Sequence, residues 1–299
     1  MNKPVSFGPK ITPLSATEHF AKVCETVKSG TGVQSHIKTG IQFLDRSMGG
    51  LFPGLHMIAG EPGIGKTSLA VQIMANVTNQ GIPVLFIGFS EAPERLVLRM
   101  LCQHGELDLR ESNTAQLDGR ALDQTMESTR EFLDLAYIYK ADATLTADQV
   151  TESARDLMGK HKVEKCLIIV DYLQIWAAGT REFTEFRHEI GRLLGAMSHI
   201  SEKLDCPILA ISSQNRSEQG SSSLTSLEGT SDLEYSADSV LILSSIERST
   251  LKKSFQEMDP TMVQSMPVAF NLRKNNFGET GMVILQFAPS TTRWIEETR

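Results

Sequence analysis

Gly60, Glu61, Pro62, Gly63, Ile64, Gly65, Lys66 and Thr67 fit the spacing G-x-x-x-x-G-K-S/T, the spacing of a loop that wraps a polyphosphate. Glycines let the backbone turn its N–H groups inward, Lys66 brings positive charge to the β- and γ-phosphates, and the Thr67 hydroxyl suits Mg²⁺. Ser68 continues into a helix whose positive end would face the anion. A carboxylate for the same metal stands at Asp171, behind the apolar run Leu167-Ile168-Ile169-Val170; an acid ending a buried strand is the Walker B arrangement. Two further polar residues follow strand-like runs. Glu91 comes two residues past the run 84–89, where a carboxylate could reach the water attacking a γ-phosphate, or could be solvated as Glu94 is expected to be. Gln214 follows the run 207–213, where its amide could sense the γ-phosphate by hydrogen bonding or cap a loop. The chemistry these types imply is phosphoryl transfer to water, with ATP and Mg²⁺ as cofactors.

Such residues need elements to hold them. Residues 55–59 read as a short buried strand, and Leu69, Ala70, Ile73, Met74 and Val77 fall at helical spacing. Gly81 is placed to close that helix as a C′ residue, and a second buried strand begins at Val84. Strand, loop, helix, strand is a βαβ unit, so the expected class is α/β with a mostly parallel sheet flanked by helices. Helices are expected over 121–135 and 146–158 around a strand at 136–139, with further strands at 166–172, 207–212 and 240–243. Ile190, Leu193, Leu194, Met197, Ile200 and Leu204 mark one long helix. Runs 268–272 and 282–287 flank a glycine-containing turn, a C-terminal β-hairpin signal.

With 299 residues, 40% of them apolar, the chain can bury one large core. A net charge of −7 argues against non-specific attraction to nucleic acid, though local phosphate contacts stay open. Cys24, Cys102, Cys166 and Cys206 share no C-x-x-C spacing and read as reduced core thiols. The chain shows neither a signal peptide nor an apolar run near 18 residues, so a cytoplasmic location without a membrane partner is expected. Residues 1–13 look like an extended arm. Ser15-Ala16-Thr17-Glu18 has capping-box spacing ahead of Phe20, Val23, Cys24 and Val27, so residues 1–35 are expected to form an arm and an amphipathic linker helix before a domain at 36–299. That helix packs either on its own domain or on a neighbouring subunit.

Several strings together carry a resemblance. Gly49-Gly50-Leu51-Phe52-Pro53-Gly54, Asp171-Tyr172-Leu173-Gln174, Ser213-Gln214-Asn215-Arg216 and Lys274-Asn275-Asn276-Phe277-Gly278 resemble the motor domain of the bacterial replicative DNA helicase family, DnaB. Thr39-Gly40 with Leu44-Asp45 and the segment 136–157 add to it. The resemblance implies a RecA-like fold and a homo-hexameric ring hydrolysing ATP at subunit interfaces. It further implies single-stranded DNA as a partner, and a replication or mobile-element protein as another. Position by position it implies Lys66 and Thr67 at phosphate and metal, Glu91 as the base orienting water, Asp171 at Mg²⁺ and Gln214 as γ-phosphate sensor. Lys274, on the hairpin, is implied to reach a neighbouring subunit's nucleotide.

Three departures bear on activity. The family carries an arginine two residues after that lysine, and here the position is Asn276, whose amide has neither the charge nor the fork of a guanidinium. Hydrolysis is therefore expected to be slow unless Arg273 or another arginine substitutes. The channel loop matches 217–237 in outline, with Leu227 where an arginine is usual before Glu228 and Gly229. Nucleic-acid candidates are Arg181, Arg187, Arg216, Glu228 and Gly229, while Phe183 and Phe186 are either core anchors or stacking platforms. The family's usual N-terminal domain has no counterpart in residues 1–28. The expected activity is a helicase-like motor; the alternative is an attenuated, ATP-controlled oligomeric scaffold that recruits a partner.

Overall fold

The computed structural model describes residues 36–112, 116–177, 183–214, 236–246 and 265–296, with the backbone alone at 183–187, and residues 15–17, 20 and 24. The chain divides into two units, Met1–Ser35 and His36–Arg299. In the first, residues 16, 17, 20 and 24 are helical and Phe20 is exposed. The remainder of the expected arm and helix lies outside the described residues.

The second unit is built on β1 (Leu55–Gly60), whose six residues are all buried. Such a strand needs partners on both edges and cover on both faces. It pairs in parallel with β5 (Ile208–Ser213) and β6 (Ser239–Ser245). β2 (Val84–Gly88), β3 (Ala136–Lys140) and β4 (Leu167–Asp171) extend the parallel part, and β7 (Met266–Asn275), β8 (Gly281–Ala288) and β9 (Arg293–Ile295) add an antiparallel flank. The nine-stranded order is β3-β2-β4-β5-β1-β6-β7-β8-β9.

Alternation along each strand sends its apolar residues to two separate cores. Val84, Phe86, Leu167, Ile169 and Leu241 pack with α1 (Gln42–Met48), α2 (Lys66–Thr78) and α3 (Pro93–Gly105). On the other face Leu85, Ile87, Ile168, Val170 and Ile242 meet α6 (Ala147–His161), α7 (Leu173–Ala177) and α8 (Phe183–Leu204). α5 (Gly119–Leu133) joins the first layer through Phe132, and the single turn α4 (Leu109–Ser112) precedes it. The expected α/β class is thus a three-layer sandwich.

Thr146 caps α6 with Gln149 in a reciprocal capping box, which explains why the helix starts where the sequence predicts. Gly81 does not close α2 as C′: the helix ends at Thr78 and Asn79 is its C-cap. Gly81, at φ +77°, donates to the Thr78 carbonyl at 2.9 Å and belongs to the turn beyond. The hairpin runs further than expected, with β7 continuing to Asn275.

His56 is the one polar side chain in β1. The Phe52 carbonyl, 2.8 Å from Nε2, can only accept, so Nε2 carries the proton and Nδ1 accepts from the Ser239 hydroxyl at 2.8 Å. Burial holds the ring's pKa down, from 6.5 to about 4. The unfolded chain therefore binds a proton that the folded chain refuses across this window, and stability is lost as pH falls from about 6.5 toward 4. We expect about 2 kcal/mol of stability to be lost from this group between pH 7.5 and pH 5. Urea unfolding at both pH values should show this fall in the wild-type chain, and a shallower fall in His56→Asn.

Candidate active site

Lys66 opens α2, and no side chain caps the helix in front of it. Gly65, the N-cap, sits at φ +101°, and a Cβ there would lie 2.8 Å from Trp294 and 3.1 Å from Phe287. Only glycine fits this left-handed, walled position. The wall belongs to the distant C-terminal strands: Trp294 donates its indole N–H to the Gly65 carbonyl at 3.3 Å, and its backbone N–H and carbonyl both bond Gln72. The open N–H groups of the first helical turn, with no acidic residue among them, suit an anion.

Lys66 Nζ donates to the carbonyls of Gly60 at 2.7 Å and Glu61 at 2.8 Å. Burial pulls its pKa from 10.5 to about 8, against the attraction of Asp171 and Glu61. Thr67 Oγ1 donates to Asp171 Oδ2 at 2.8 Å, so the two residues read as metal ligands meet across 104 positions of sequence. Burial pushes the Asp171 carboxyl up to about 6, with Glu91 adding to the rise. Among the described residues no cluster of three or more His, Cys, Asp or Glu side chains could hold a metal ion unaided. A divalent ion at Thr67 and Asp171 would depend on phosphate oxygens and water, as Mg²⁺ does. The walled glycine, the open helix end, the half-buried cation and the Thr67–Asp171 pair together fit a Mg²⁺–triphosphate.

Glu91 lies in the turn between β2 and α3, and it is not a solvated glutamate. Arg99 Nη2 bonds both of its carboxylate oxygens, at 2.9 and 3.2 Å, and Arg95 Nε lies 3.2 Å from Oε1. Arg99 Nη1 also donates to Ser68 Oγ at 3.2 Å, which shows Ser68 turned toward α3 as well as lying in the loop helix. Neither arginine stands out in the sequence without α3 to carry it. Pro93, at the first helical turn, is the signal that marks where α3 starts.

Gln214 follows Ser213, which pairs with Gly60 at the root of the loop; the Gln214 side chain is buried there. Gln174 fixes this strand end: its Nε2 donates to Ser212 Oγ at 2.8 Å and its Oε1 accepts from Ser213 N at 3.3 Å. β4 and β5 pair only from Ile168 to Val170, so this amide spans the place where their ladder stops. Glu91, Lys66, Thr67, Asp171 and Gln214 therefore converge at one end of the sheet.

The family model described as "DnaB-like helicase C terminal domain" matches residues 36–296. The chain belongs to this family. The replicative DNA helicase DnaB of Mycoplasma genitalium is 26% identical over 281 residues, covering 91% of this chain and 58% of that protein. DnaB of Synechocystis is 24% identical over 230 residues, covering 75% of this chain and 26% of that protein. The chain thus spans less than two thirds of the length of each of these relatives. Among solved structures, "ATPase Domain of G40P" superposes with a TM-score of 0.77 at 18% identity, covering 96% of this chain and 100% of that one. A DnaB-like replicative helicase described with its interactions with primase superposes at 0.74 and 17% identity, covering 96% and 68%. The RecA-like fold read from the resemblance is the fold observed.

Within this DnaB-like motor fold, Lys274 stands apart from the loop. It pairs with Val240, which pairs with Met57, whereas the loop residue Gly60 pairs with Leu243. At about 3.3 Å per residue, Lys274 lies about 10 Å toward the opposite end of the sheet. Asn276 is held within its own chain, its side chain donating to Asp238 Oδ1 at 3.1 Å and its backbone N–H to the Asp238 carbonyl at 2.9 Å. A cleft of about 480 Å³ adjoins the loop between Glu61, Pro62, Ile64, Ser245, Met266 and Pro267. Arg181, Arg216, Glu228 and Gly229 lie outside the described residues, as do the side chains of Phe183, Phe186 and Arg187. Among the described residues no helix is long and apolar enough to cross a membrane.

Proposed function

We propose that this chain is the ATP-hydrolysing motor of a DnaB-like helicase, working with Mg²⁺ at interfaces between copies in a homo-hexameric ring and moving on single-stranded DNA. The observation that carries this reading is the separation of Lys274 from the loop end. A cation set back toward one end of the sheet and a triphosphate pocket at the other suit copies placed head to tail, and such heterologous contacts give a ring where the rotation between copies closes. Phosphoryl transfer is then positioning and charge neutralisation: Lys66, Thr67 and Asp171 hold the phosphates and metal, Gln214 contacts the γ-phosphate, and Glu91 orients water. Nucleobase and ribose would fill the cleft beside Ile64 and Pro267.

A second reading, an attenuated ATPase that assembles as a scaffold for a partner protein, draws on Asn276. Its amide is engaged with Asp238 and supplies no charge where the family places an arginine. Phosphate release with and without an oligonucleotide, alongside light scattering with and without ATP, separates the two. Stimulation of about tenfold or more is the motor's result, in line with what one positioned charge contributes. A slow, unstimulated rate with ATP-dependent assembly is the scaffold's, and a particle that stays monomeric with ATP overturns both.

A further inference from the structure

We propose that Arg99 is the positioning residue of the hydrolytic site, holding the Glu91 carboxylate and tying it to the helix that carries Lys66 and Thr67; this rests on the reading of Glu91 as the residue that orients water. Glu91 follows β2 in a turn, so its backbone has no ladder or helix to fix it. Arg99 comes from the middle of α3, a helix anchored through the buried Leu96 and Met100. Its guanidinium meets both Glu91 oxygens with one nitrogen and the Ser68 hydroxyl with the other, so one planar group links the base to the first turn of α2.

Burial separates the two arginines. The Arg99 and Glu91 side chains are 16% and 17% exposed, whereas Arg95 is 51% exposed. Water screens the Arg95 contact and leaves the Arg99 contact strong. Arg99 Nε is also buried without a hydrogen-bond partner among the described residues. A buried donor left unsatisfied opposes folding, and an apolar residue at the same place on α3 would avoid it. The arrangement favours holding a carboxylate in one orientation over packing. A lysine would not reproduce it, since an ammonium lacks the rigid fork that meets two oxygens and a hydroxyl together.

The test measures kcat from phosphate release and Kd from a fluorescent ATP analogue, in the full chain with a single-stranded oligonucleotide, for Arg99→Met, Arg99→Lys, Arg95→Ala and Glu91→Gln. Displacing a reacting group by about 1 Å can cost about 10²-fold, so Arg99→Met should lower kcat by about that factor with Kd within about threefold. Arg99→Lys, which keeps the charge should the Met variant fail to fold, should lower kcat about tenfold, and Arg95→Ala no more than about threefold. Arg99 variants that fold with wild-type kcat, or that raise Kd as much as they lower kcat, overturn the proposal. Glu91→Gln with wild-type turnover overturns the role of Glu91 and this proposal with it. A wild-type chain that binds the analogue and releases no phosphate overturns the hydrolytic reading itself.

Discussion

Replacing Lys66 by Met should weaken ATP binding by about 10²- to 10³-fold while leaving the fold at least as stable as before. The first effect is the loss of a charged donor from the loop; contacts of a buried ammonium with phosphate oxygens are worth about 1.5–3 kcal/mol each, and 1.4 kcal/mol is a tenfold change in Kd. The second comes from the cost of burying the ammonium. Its pKa falls from 10.5 to about 8, so between those values the unfolded chain binds the proton more tightly than the folded chain. Stability contributed by this group therefore rises as pH climbs from about 8 to 10.5, and at neutral pH the buried charge costs about 3 kcal/mol before its bonds to the Gly60 and Glu61 carbonyls offset part of it. Lys66→Met removes that cost. Urea unfolding at pH 7 should give an equal or higher midpoint for the variant, and the gap should shrink by pH 10. A variant that binds ATP as the wild type does would remove Lys66 from the site.

Both outcomes follow from one design, in which Lys66 is desolvated in advance, as a site built to receive an anion requires. The C-terminal strands maintain it. Trp294 walls Gly65 and bonds Gln72, and Glu296 accepts from the backbone N–H groups of Gln42 and Phe43 at the start of α1, at 2.6 and 2.9 Å. Gln103 on α3 donates to the carbonyls of Ser68 and Thr292, at 2.8 and 2.7 Å. The phosphate loop is thus held by chain more than 180 residues away, which is why Gly65 is so restricted.

What could be read from the residues in order was whatever local physics fixes. The loop, α2 and β4 announce themselves through glycine spacing, helical period and an unbroken apolar run ending in Asp171. The capping box at Thr146 is equally local. α3 is hard to read because Leu96 to Cys102 is nearly continuous in apolar residues, interrupted only by Arg99, which blurs the 3.6-residue period. Arg99 and Gln103 could not be seen as site residues without α3 packed beside α2. Glu91 was legible as a candidate, but its two arginine partners depend on that same packing. For Lys274 and Asn276, order in the chain says nothing of which end of the sheet they occupy; the antiparallel register of β6 and β7 decides it.

Replacing Glu91 by Gln should lower turnover by about 10²- to 10⁴-fold, the range for losing a positioned proton acceptor, while ATP still binds. The amide keeps the length of the side chain and can still accept from Arg99, so the turn between β2 and α3 holds its place. What is lost is the negative charge, with two consequences of opposite sign. Arg95 and Arg99 lose their ion-pair partner, and the chain should become less stable by about 1 to 3 kcal/mol, between the values for exposed and for buried pairs. The same two cations now add uncompensated positive charge near the loop, so affinity for a tetra-anionic nucleotide should hold or rise. Burial, the main cause of the raised Asp171 pKa, stays, but the repulsion from Glu91 that adds to it goes, making metal binding no weaker. Single-turnover phosphate release, equilibrium binding of a fluorescent ATP analogue and a urea midpoint read the three effects separately. Slow turnover with tight binding and a lowered midpoint is the expected pattern, and turnover within tenfold of wild type would show that another group orients the water.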